Sequence, residues 1–350
     1  MKRKPGSLLA SIVFFSFTFS TVQAQQLVLL KNALIMRQPP FAACHASTIT
    51  ALPGKRLMAA WFGGTRESHP DVCIWTAVYD KGSWSAPQRV ADGVINDSLR
   101  YPCWNPVLFR NRAGKLFLFY KVGKTPRHWW GMMMTSGDDG RHWSKAERLP
   151  DSLLGPIKNK PVQLPGGDIL YPSSTESKDE KTWQIHLEKS DADGRNWQYI
   201  PINCDTFGVI QPSILQYPGN KLQLLCRSRQ QYIVQSWSED NGLTWSPLTK
   251  TTLPNPNSGT DAVTLQNGVQ LLVYNPLPAG REWWQGRSKL KVAASADGRH
   301  WKDVYTLEDQ PKGEYSYPAI IQSPDGLIHI TYTADRKNIR HVVLRLETRR

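Results

Sequence analysis

A short turn motif, repeated along the chain, constrains the fold more than any other feature of the sequence. Each copy has a serine, one or more acidic residues, a glycine, two further residues and a tryptophan, and the tryptophans lie 48 to 59 residues apart. An Asp that accepts backbone N–H bonds and a Gly with positive φ predict a tight turn between two strands, so we interpret these Asp residues as structural. The copies occupy residues 136–143, 190–197, 238–245 and 295–301, with an eroded copy at 79–84.

A second repeat is out of phase with the first. Each copy is a polar or small residue, an apolar strand, a Gly turn and a second apolar strand, which predicts a β-hairpin. The copies begin at residues 45, 105, 159, 211, 258 and 317. With the outer strands around each acidic turn, every unit has about four strands, the size of a propeller blade. The sequence therefore predicts an all-β, six-bladed β-propeller, closed by a strand from residues 26–36 that joins the last blade.

The first 24 residues have the pattern of a secretory signal. A basic start at residues 2–4 precedes an apolar run at residues 8–20, which is too short to span a bilayer comfortably. A small-residue pattern ends at Ala24, where we expect cleavage. We therefore predict a signal peptide at residues 1–24, a single propeller domain at residues 25–350, and a periplasmic or secreted location.

The composition of the chain limits the classes of molecule that it can bind. The formal net charge is +14, and 14 Trp, 12 Tyr and 10 Phe exclude a disordered chain. Lys and Arg are scattered rather than clustered, so the charge indicates an acidic glycan rather than a nucleic acid. The five cysteines show no metal-binding spacing, and we interpret most of them as buried thiols with at most one or two disulfides. We expect no metal, no cofactor, no stable membrane insertion and a monomer.

Several motifs place the chain near a known family. They are the acidic turn repeat together with residues 61–67, 71–75, 255–258 and 315–317, which read WFGGTRE, DVCIW, NPNS and YSY. In this combination the chain resembles the sialidase (neuraminidase) superfamily, in particular bacterial proteins with BNR or Asp-box repeats. The resemblance covers nearly the whole mature chain. It implies an exo-acting glycoside hydrolase that removes a terminal acidic sugar, sialic acid or a related 2-keto sugar acid.

The propeller model brings the ends of the inner hairpins to one mouth, which is rich in charged residues. The resemblance then implies roles: three arginines for the substrate carboxylate, a Tyr nucleophile, and an Asp as general acid and base. The catalytic candidates are Asp71, Tyr317, Tyr315 and Glu176, with Tyr317 favoured over Tyr315 as nucleophile. The substrate-binding candidates are His45, Arg66, Glu67, Gln211, Arg227, Arg229 and Arg287, with Arg281 as an alternative third arginine.

Two positions depart from the family pattern. The first-strand arginine is missing, because that place reads Cys-His-Ala-Ser-Thr at residues 44–48, and Arg66 is its candidate substitute. The glutamate that activates the tyrosine is replaced by Gln211, which cannot act as a base, and Glu176 or Glu67 is its candidate substitute. Two alternatives therefore stay open: a glycosidase or lyase acting on another acidic glycan, with His45 or His69 as the base of a lyase, and a non-catalytic glycan-binding propeller.

Overall fold

Six antiparallel sheets surround a central axis in the computed structural model, which describes residues 25–282 and 284–348. The predicted signal peptide lies outside these residues. Within the described part of the chain all regular elements are strands, as predicted. The search of these residues for an apolar helix long enough to cross a membrane found none.

The sheets follow one another along the chain, with the innermost strand first in each blade. The first blade contains β2 (Ala43–Leu52), β3 (Arg56–Gly64), β4 (Cys73–Asp80) and β5 (Ser83–Trp84), and β6 (Gln88–Ala91) also pairs with β4. The second blade contains β9 (Cys103–Arg110), β10 (Leu116–Val122), β11 (Trp130–Ser136) and β12 (Glu147–Arg148). The third blade contains β13 (Val162–Gln163), β14 (Ile169–Glu176), β15 (Trp183–Ser190) and β16 (Gln198–Pro201). A two-stranded sheet, β7 (Val94–Asn96) and β8 (Leu99–Arg100), lies between the first two blades in sequence.

The remaining blades complete the ring. The fourth blade contains β17 (Val209–Gln216), β18 (Leu222–Ser228), β19 (Tyr232–Ser238) and β20 (Thr249–Pro254). The fifth blade contains β21 (Asp261–Thr264), β22 (Gln270–Tyr274), β23 (Lys289–Ser295) and β24 (Lys302–Asp309). The sixth blade contains β25 (Tyr315–Gln322), β26 (Ile328–Ala334), β27 (Asn338–Thr348) and β1 (Gln25–Leu34). Strand β1 pairs antiparallel with β27, with Leu27 opposite Leu346. The predicted closure of the ring by the N-terminal strand is confirmed.

The core lies between the blades. All seven residues of β18 are buried, because the two faces of this strand join apolar clusters with the third and fifth blades. Leu224 belongs to an apolar cluster with Leu170 and Leu187 of the third blade, whereas Leu225 packs with Leu272 of the fifth. Each fully buried Leu contributes roughly 1.5–3 kcal/mol.

The acidic turns are structural, as predicted, and they lie at the lower face, where the inner hairpins also turn. Asp240 accepts hydrogen bonds from Ser238 Oγ (2.7 Å) and from the backbone nitrogens of Leu243 (3.0 Å) and Thr244 (2.9 Å). Trp245 Nε1 donates to the carbonyl of Gly242 (3.1 Å), whose φ is 86°. A Cβ on Gly242 would lie 2.8 Å from Leu170 of the preceding blade, so the turn is also a contact between blades.

All five cysteines are buried and free. Burial raises the pKa of the Cys44 thiol to about 12, which keeps it protonated and unreactive at neutral pH. The expectation of buried thiols is confirmed, and the structure forms none of the disulfides that the sequence left open.

Candidate active site

The site begins with one irregular position in each innermost strand, on the upper face opposite the acidic turns. This position lies five residues before the end of the strand in five blades and six before it in the first; in the third and fifth blades it precedes the first residue of the strand. In the first, second, fourth and sixth blades the pairing register shifts there. The six residues are Ala46, Asn105, Lys158, Gln211, Gly259 and Tyr317, and all except Gly259 have φ between 36° and 70°. A bulge of this kind re-aims a side chain, and here it directs one residue per blade toward the axis.

Contacts around Gly259 show that the blades meet at one point. A Cβ built on Gly259 would lie 3.1 Å from Lys158 Cε, 3.3 Å from Gln211 Oε1 and 3.3 Å from Tyr317 Cδ2. These three side chains come from the third, fourth and sixth blades. We call Lys158, Gln211, Tyr317, Arg227 and His45 the axial cluster.

Arg227 and Tyr317 are in direct contact. Arg227 follows the buried run of β18 and is only 7% exposed. Its Nη1 donates to Tyr317 Oη (2.7 Å) and to Gln211 Oε1 (3.2 Å), and its Nε donates to Asn257 Oδ1 (2.9 Å). A guanidinium held in this way stabilises negative charge on the phenol oxygen and presents a fork to an anion.

Two further arginines share a buried carboxylate beside this cluster. Arg287 Nη1 lies 2.9 Å from Glu314 Oε1, and Arg336 Nε lies 2.7 Å from Glu314 Oε2. Arg336 also pairs with Glu67. Burial alone would raise the pKa of Glu314, but bonds and charge from Arg336 and the charge of Arg287 hold this pKa below its usual value. Glu314 is therefore ionised and orients both arginines.

His45 lies against the nucleophile candidate. Its ring centroid is 4.2 Å from that of Tyr317, the residue is 2% exposed, and neither ring nitrogen has a hydrogen-bond partner among the described residues. Burial lowers the pKa of His45 well below its usual value, and the charges of Arg336 and Arg287 lower it further. The imidazole is therefore neutral at neutral pH and offers one donor and one acceptor.

Lys158 forms the base of the cluster. Its Nζ donates to Asn159 Oδ1 (2.9 Å), to the Thr260 carbonyl (2.7 Å) and to the Pro318 carbonyl. Burial lowers the pKa of Lys158 to about 7, so its charge changes near neutral pH. The sequence analysis assigned no role to this lysine, nor to Arg336, Glu314 or Asn257. The available signal was position, because Lys158 directly precedes Asn159, where the third copy of the hairpin repeat begins.

Asp71 lies on the same face, in the loop after β3, with a side chain that is 40% exposed. Its carboxylate accepts bonds from Thr65 N (3.0 Å), Thr65 Oγ1 (2.7 Å) and His69 Nδ1 (2.7 Å). Burial by itself would raise the pKa of Asp71, but these donors together outweigh it and lower the pKa below its usual value. Arg66 and Glu67 share this loop and line a small crevice with His45 and Arg336. The described hydrogen bonds of the Asp71 carboxylate are with its own loop, not with Tyr317.

The remaining candidates, Glu176, Arg229 and Tyr315, lie in three different surroundings. Glu176 ends β14 beside Arg227, and burial raises its pKa against the opposing charges of Arg227 and Arg229. Arg229 itself donates to the Lys181 carbonyl (3.0 Å) and stacks on Trp183 (4.3 Å), so the structure does not bring it into the axial cluster. Tyr315 packs in the apolar core of the last two blades, away from that cluster.

The described residues contain no grouping of three or more His, Cys, Asp or Glu side chains that would hold a metal ion. The chemistry that the site offers is that of arginines, a phenol, an imidazole, an amine and carboxylates.

Comparisons with known proteins identify a family for this chain. The model of the BNR repeat-like domain family matches residues 55–330. Among curated proteins, the anhydrosialidase of Macrobdella decora is 27% identical over 231 residues, which are 57% of this chain and 29% of that protein. The chain thus spans less than a third of the length of this relative.

Solved structures share the fold. A protein of unknown function from Dyadobacter fermentans DSM 18053 superposes with a TM-score of 0.74 at 15% identity, over 92% of this chain and 99% of that one. The K499G mutant of NanB sialidase from Streptococcus pneumoniae superposes with a TM-score of 0.70 at 13% identity, over 89% of this chain and 70% of that one. At these identities the likeness concerns the propeller fold alone.

Proposed function

Because the chain belongs to the BNR repeat-like domain family, we propose that it is an exported exo-acting glycosidase that removes a terminal acidic sugar from a glycan. The sugar would be a sialic acid or a related 2-keto sugar acid. The observation that carries the proposal is the axial contact of Arg227 with Tyr317 (2.7 Å), beside Arg287 and Lys158. The basic and apolar pattern of residues 1–24 supports export.

The arginines would bind the carboxylate of the sugar. Arg227 and Arg287 are both buried and both lie near Tyr317, so a carboxylate placed between them would be held with defined orientation. Arg336 approaches the same region from the sixth blade through Glu314. It is a better substitute for the missing first-strand arginine than Arg66, because Glu314 fixes its guanidinium.

Tyr317 would attack the anomeric carbon. A neutral phenol avoids the repulsion that a carboxylate nucleophile would meet beside the carboxylate of the sugar, and tyrosine is a known nucleophile of such glycosidases. Arg227 donates to the phenol oxygen and would stabilise the negative charge that this oxygen gains as its proton passes to His45, the neutral imidazole packed on the Tyr317 ring.

Two carboxyl groups on the upper face would handle the protons of the reaction. Glu176, whose burial raises its pKa, is protonated over a wider pH range and suits the donor that protonates the leaving oxygen. The carboxylate that Glu176 leaves behind would take a proton from water in the second step, which restores the acid. Asp71, whose pKa is lowered, is ionised at neutral pH and would accept a hydrogen bond that orients this water.

A panel of fluorogenic glycosides tests this function. Purified protein should release the fluorophore from sialic, Kdo-type or uronic acid glycosides, and Tyr317→Phe should not. Glu176→Gln should slow substrates with poor leaving groups by about 10²–10⁴-fold and spare activated ones. If Asp71→Asn shows that pattern instead, the donor is Asp71. If no acidic sugar binds or reacts, the proposal is wrong and a different ligand occupies the axis.

One observation favours a second candidate, a lyase. His45 is a neutral base packed on Tyr317. In an elimination on a uronic acid, His45 would take the proton from the carbon next to the carboxylate and the bond to the leaving oxygen would break. A carbon–carbon double bond would form, and Tyr317 would protonate the leaving oxygen. The unsaturated product absorbs ultraviolet light, whereas hydrolysis products do not, so one absorbance trace separates the two reactions.

A further inference from the structure

An ion pair joins the third and fifth blades below the axial cluster. Lys160 Nζ lies 3.0 Å from Asp261 Oδ1 and 2.9 Å from Oδ2, and it also donates to the Ala262 carbonyl (2.7 Å). The side chain of Asp261 is 3% exposed, whereas that of Lys160 is 20% exposed and lines a cavity of about 340 Å³ at the lower face. The pair therefore lies between the axial cluster and the lower opening of the ring.

Asp261 accepts hydrogen bonds from donors of four blades. Besides Lys160 of the third blade, these are Ser213 Oγ of the fourth (3.2 Å), Ala262 N of the fifth (2.9 Å) and Ile320 N of the sixth (2.9 Å). Because hydrogen bonds to a carboxylate are stronger than those between neutral groups, these donors fix the position and stabilise the negative charge of Asp261.

The two segments that form the pair also hold Lys158. Lys158 and Lys160 flank Asn159 in sequence, and the Lys158 amine donates to the carbonyl of Thr260 (2.7 Å), which directly precedes Asp261. Lys158 itself is only 3% exposed. Since Coulomb interactions are strong where water is excluded, a change in either member of the pair changes the potential at the Lys158 amine.

Five titratable or charged groups from five blades face this amine. They are His45, Lys160, Arg227, Asp261 and Tyr317. Burial lowers the pKa of Lys158 to about 7. Among the neighbouring charges, that of Asp261 raises this pKa, and those of Lys160 and Arg227 lower it. His45 is neutral at neutral pH, so the charge of Lys158 depends on the ion pair and on Arg227.

We propose that Lys160 and Asp261 are a positioning pair for Lys158, which holds its amine at the base of the axial cluster and determines whether that amine is charged at neutral pH. Neither member of the pair would touch the sugar. The inference rests on the proposed function only for its consequence, which is the pH range in which the axis attracts an acidic sugar.

Nuclear magnetic resonance of the lysine side chains tests the inference without a ligand. In protein grown on lysine that is isotope-labelled at Cε, the chemical shift follows the charge of each amine, and Lys158→Gln identifies the signal of Lys158. Asp261→Asn removes the anion and should lower the midpoint of the Lys158 titration by about one pH unit, the effect of a nearby charge. Lys160→Gln removes the cation and should raise the midpoint by about as much. The double variant should titrate near the wild-type midpoint.

Lys121 is the internal control in the same spectra. Burial lowers its pKa to about 7 as well, but its Nζ donates to the Pro156 carbonyl (2.7 Å) and not to the pair. Its midpoint should stay constant in every variant. Lys189→Gln is the matched control variant, because Lys189 pairs with Asp168 (3.1 Å) on the third strand of the same blade. It should leave the Lys158 midpoint unchanged.

Lys160→Gln is decisive if Asp261→Asn does not fold. It leaves Asp261 with its bonds from Ser213, Ala262 N and Ile320 N, so thermal unfolding should show a folded protein. A midpoint that stays at the wild-type value or falls in this variant overturns the inference. An unfolded Lys160→Gln also overturns it, because the pair then holds the blades together rather than positioning Lys158.

Calorimetry with the methyl α-glycoside of sialic acid separates this inference from the proposed function. At pH 8, Lys160→Gln should bind the glycoside up to about fivefold more tightly than wild type, since the charged fraction of Lys158 would rise from roughly one tenth to one half. If the midpoint moves as expected but the affinity does not, the charge of Lys158 has no part in binding and that consequence is wrong. If neither protein binds the glycoside, the proposed function fails, and the resonance titrations alone decide about the pair.

Discussion

Replacing Arg227 by lysine separates the charge of this residue from its shape. The guanidinium uses Nη1 for Tyr317 (2.7 Å) and Gln211 (3.2 Å), and Nε for Asn257 (2.9 Å). A lysine amine is a single point of donation and cannot keep the bond to Asn257, contact the phenol and present a fork to a carboxylate at once. Arg227→Lys therefore keeps a positive charge at the axis and loses the planar arrangement of donors.

The magnitude follows from the bonds that are lost. A hydrogen bond to a charged group contributes about 1.5–3 kcal/mol, and the variant loses one of the two bonds of the fork. A loss of about 2 kcal/mol corresponds to roughly a 30-fold weaker affinity for an acidic sugar, since about 1.4 kcal/mol is tenfold. Calorimetry with a non-cleavable acidic glycoside measures this loss, and thermal unfolding checks that the fold is intact.

Arg229→Lys is the control for this experiment. Arg229 lies two residues further along the chain, but its guanidinium donates to the Lys181 carbonyl (3.0 Å), outside the axial cluster. The control should bind the acidic glycoside almost as wild type does. If Arg227→Lys binds within about threefold of wild type, or if the control is weakened as much, the fork of Arg227 does not hold the carboxylate.

Three further predictions concern the turns, the pH dependence and the nucleophile. Asp240→Ala should lower the free energy of unfolding by about 1–2 kcal/mol through its lost bonds to the turn, with activity per folded molecule unchanged, whereas exposed Glu239→Ala should have little effect; chemical denaturation and active-site titration measure both. Because burial lowers the pKa of Lys158 to about 7, its charge is present below that pH and lost above it, so the affinity for an acidic sugar should fall as the pH rises through 7. In a Lys158→Gln variant the affinity should depend less on pH over this range. An equal pH dependence in the variant and the wild type would refute the role of Lys158. Tyr317→Phe should abolish turnover but retain binding of the acidic sugar, as followed by calorimetry, and a variant that still turns over would exclude Tyr317 as nucleophile.

The propeller could be predicted from sequence because its signals are local. An acidic residue and a glycine specify a turn through bonds within a few residues, and alternating side chains specify the strands between the turns. Six copies of one hairpin then leave few architectures. The pairing of β7 with β8 could not be predicted, since these short strands repeat nothing else in the chain.

The sequence predicted the site residues that the inner hairpins carry, such as Tyr317 and Gln211, and missed several that other parts of the chain supply. Arg227 lies within β18, and its contact with Tyr317 agrees with the propeller prediction. Arg229 lies beyond the end of β18 at Ser228, where the alternation of side chains no longer applies. Tyr315 would share a face with Tyr317 in a regular strand, but the register shift after Ser316 breaks that period. Glu314 was missed because its partners come from two distant parts of the chain.

The strain at the axis indicates that its side chains are needed there. A non-glycine residue with positive φ costs on the order of 1–3 kcal/mol, whereas glycine adopts the same conformation without that cost. Five equivalent positions nevertheless carry side chains, among them Lys158, Gln211 and Tyr317, and only the fifth blade has glycine, at Gly259. Glycine at these five positions would close the ring with less strain and remove the amine, the amide and the phenol from the axis. The sequence accepts the strain at five of them, and the side chains it keeps there include an amine, an amide and a phenol in contact with Arg227. The chemistry of this propeller therefore depends in part on which residues occupy these bulges, since the turns and the packing between blades are shared by every copy of the repeat.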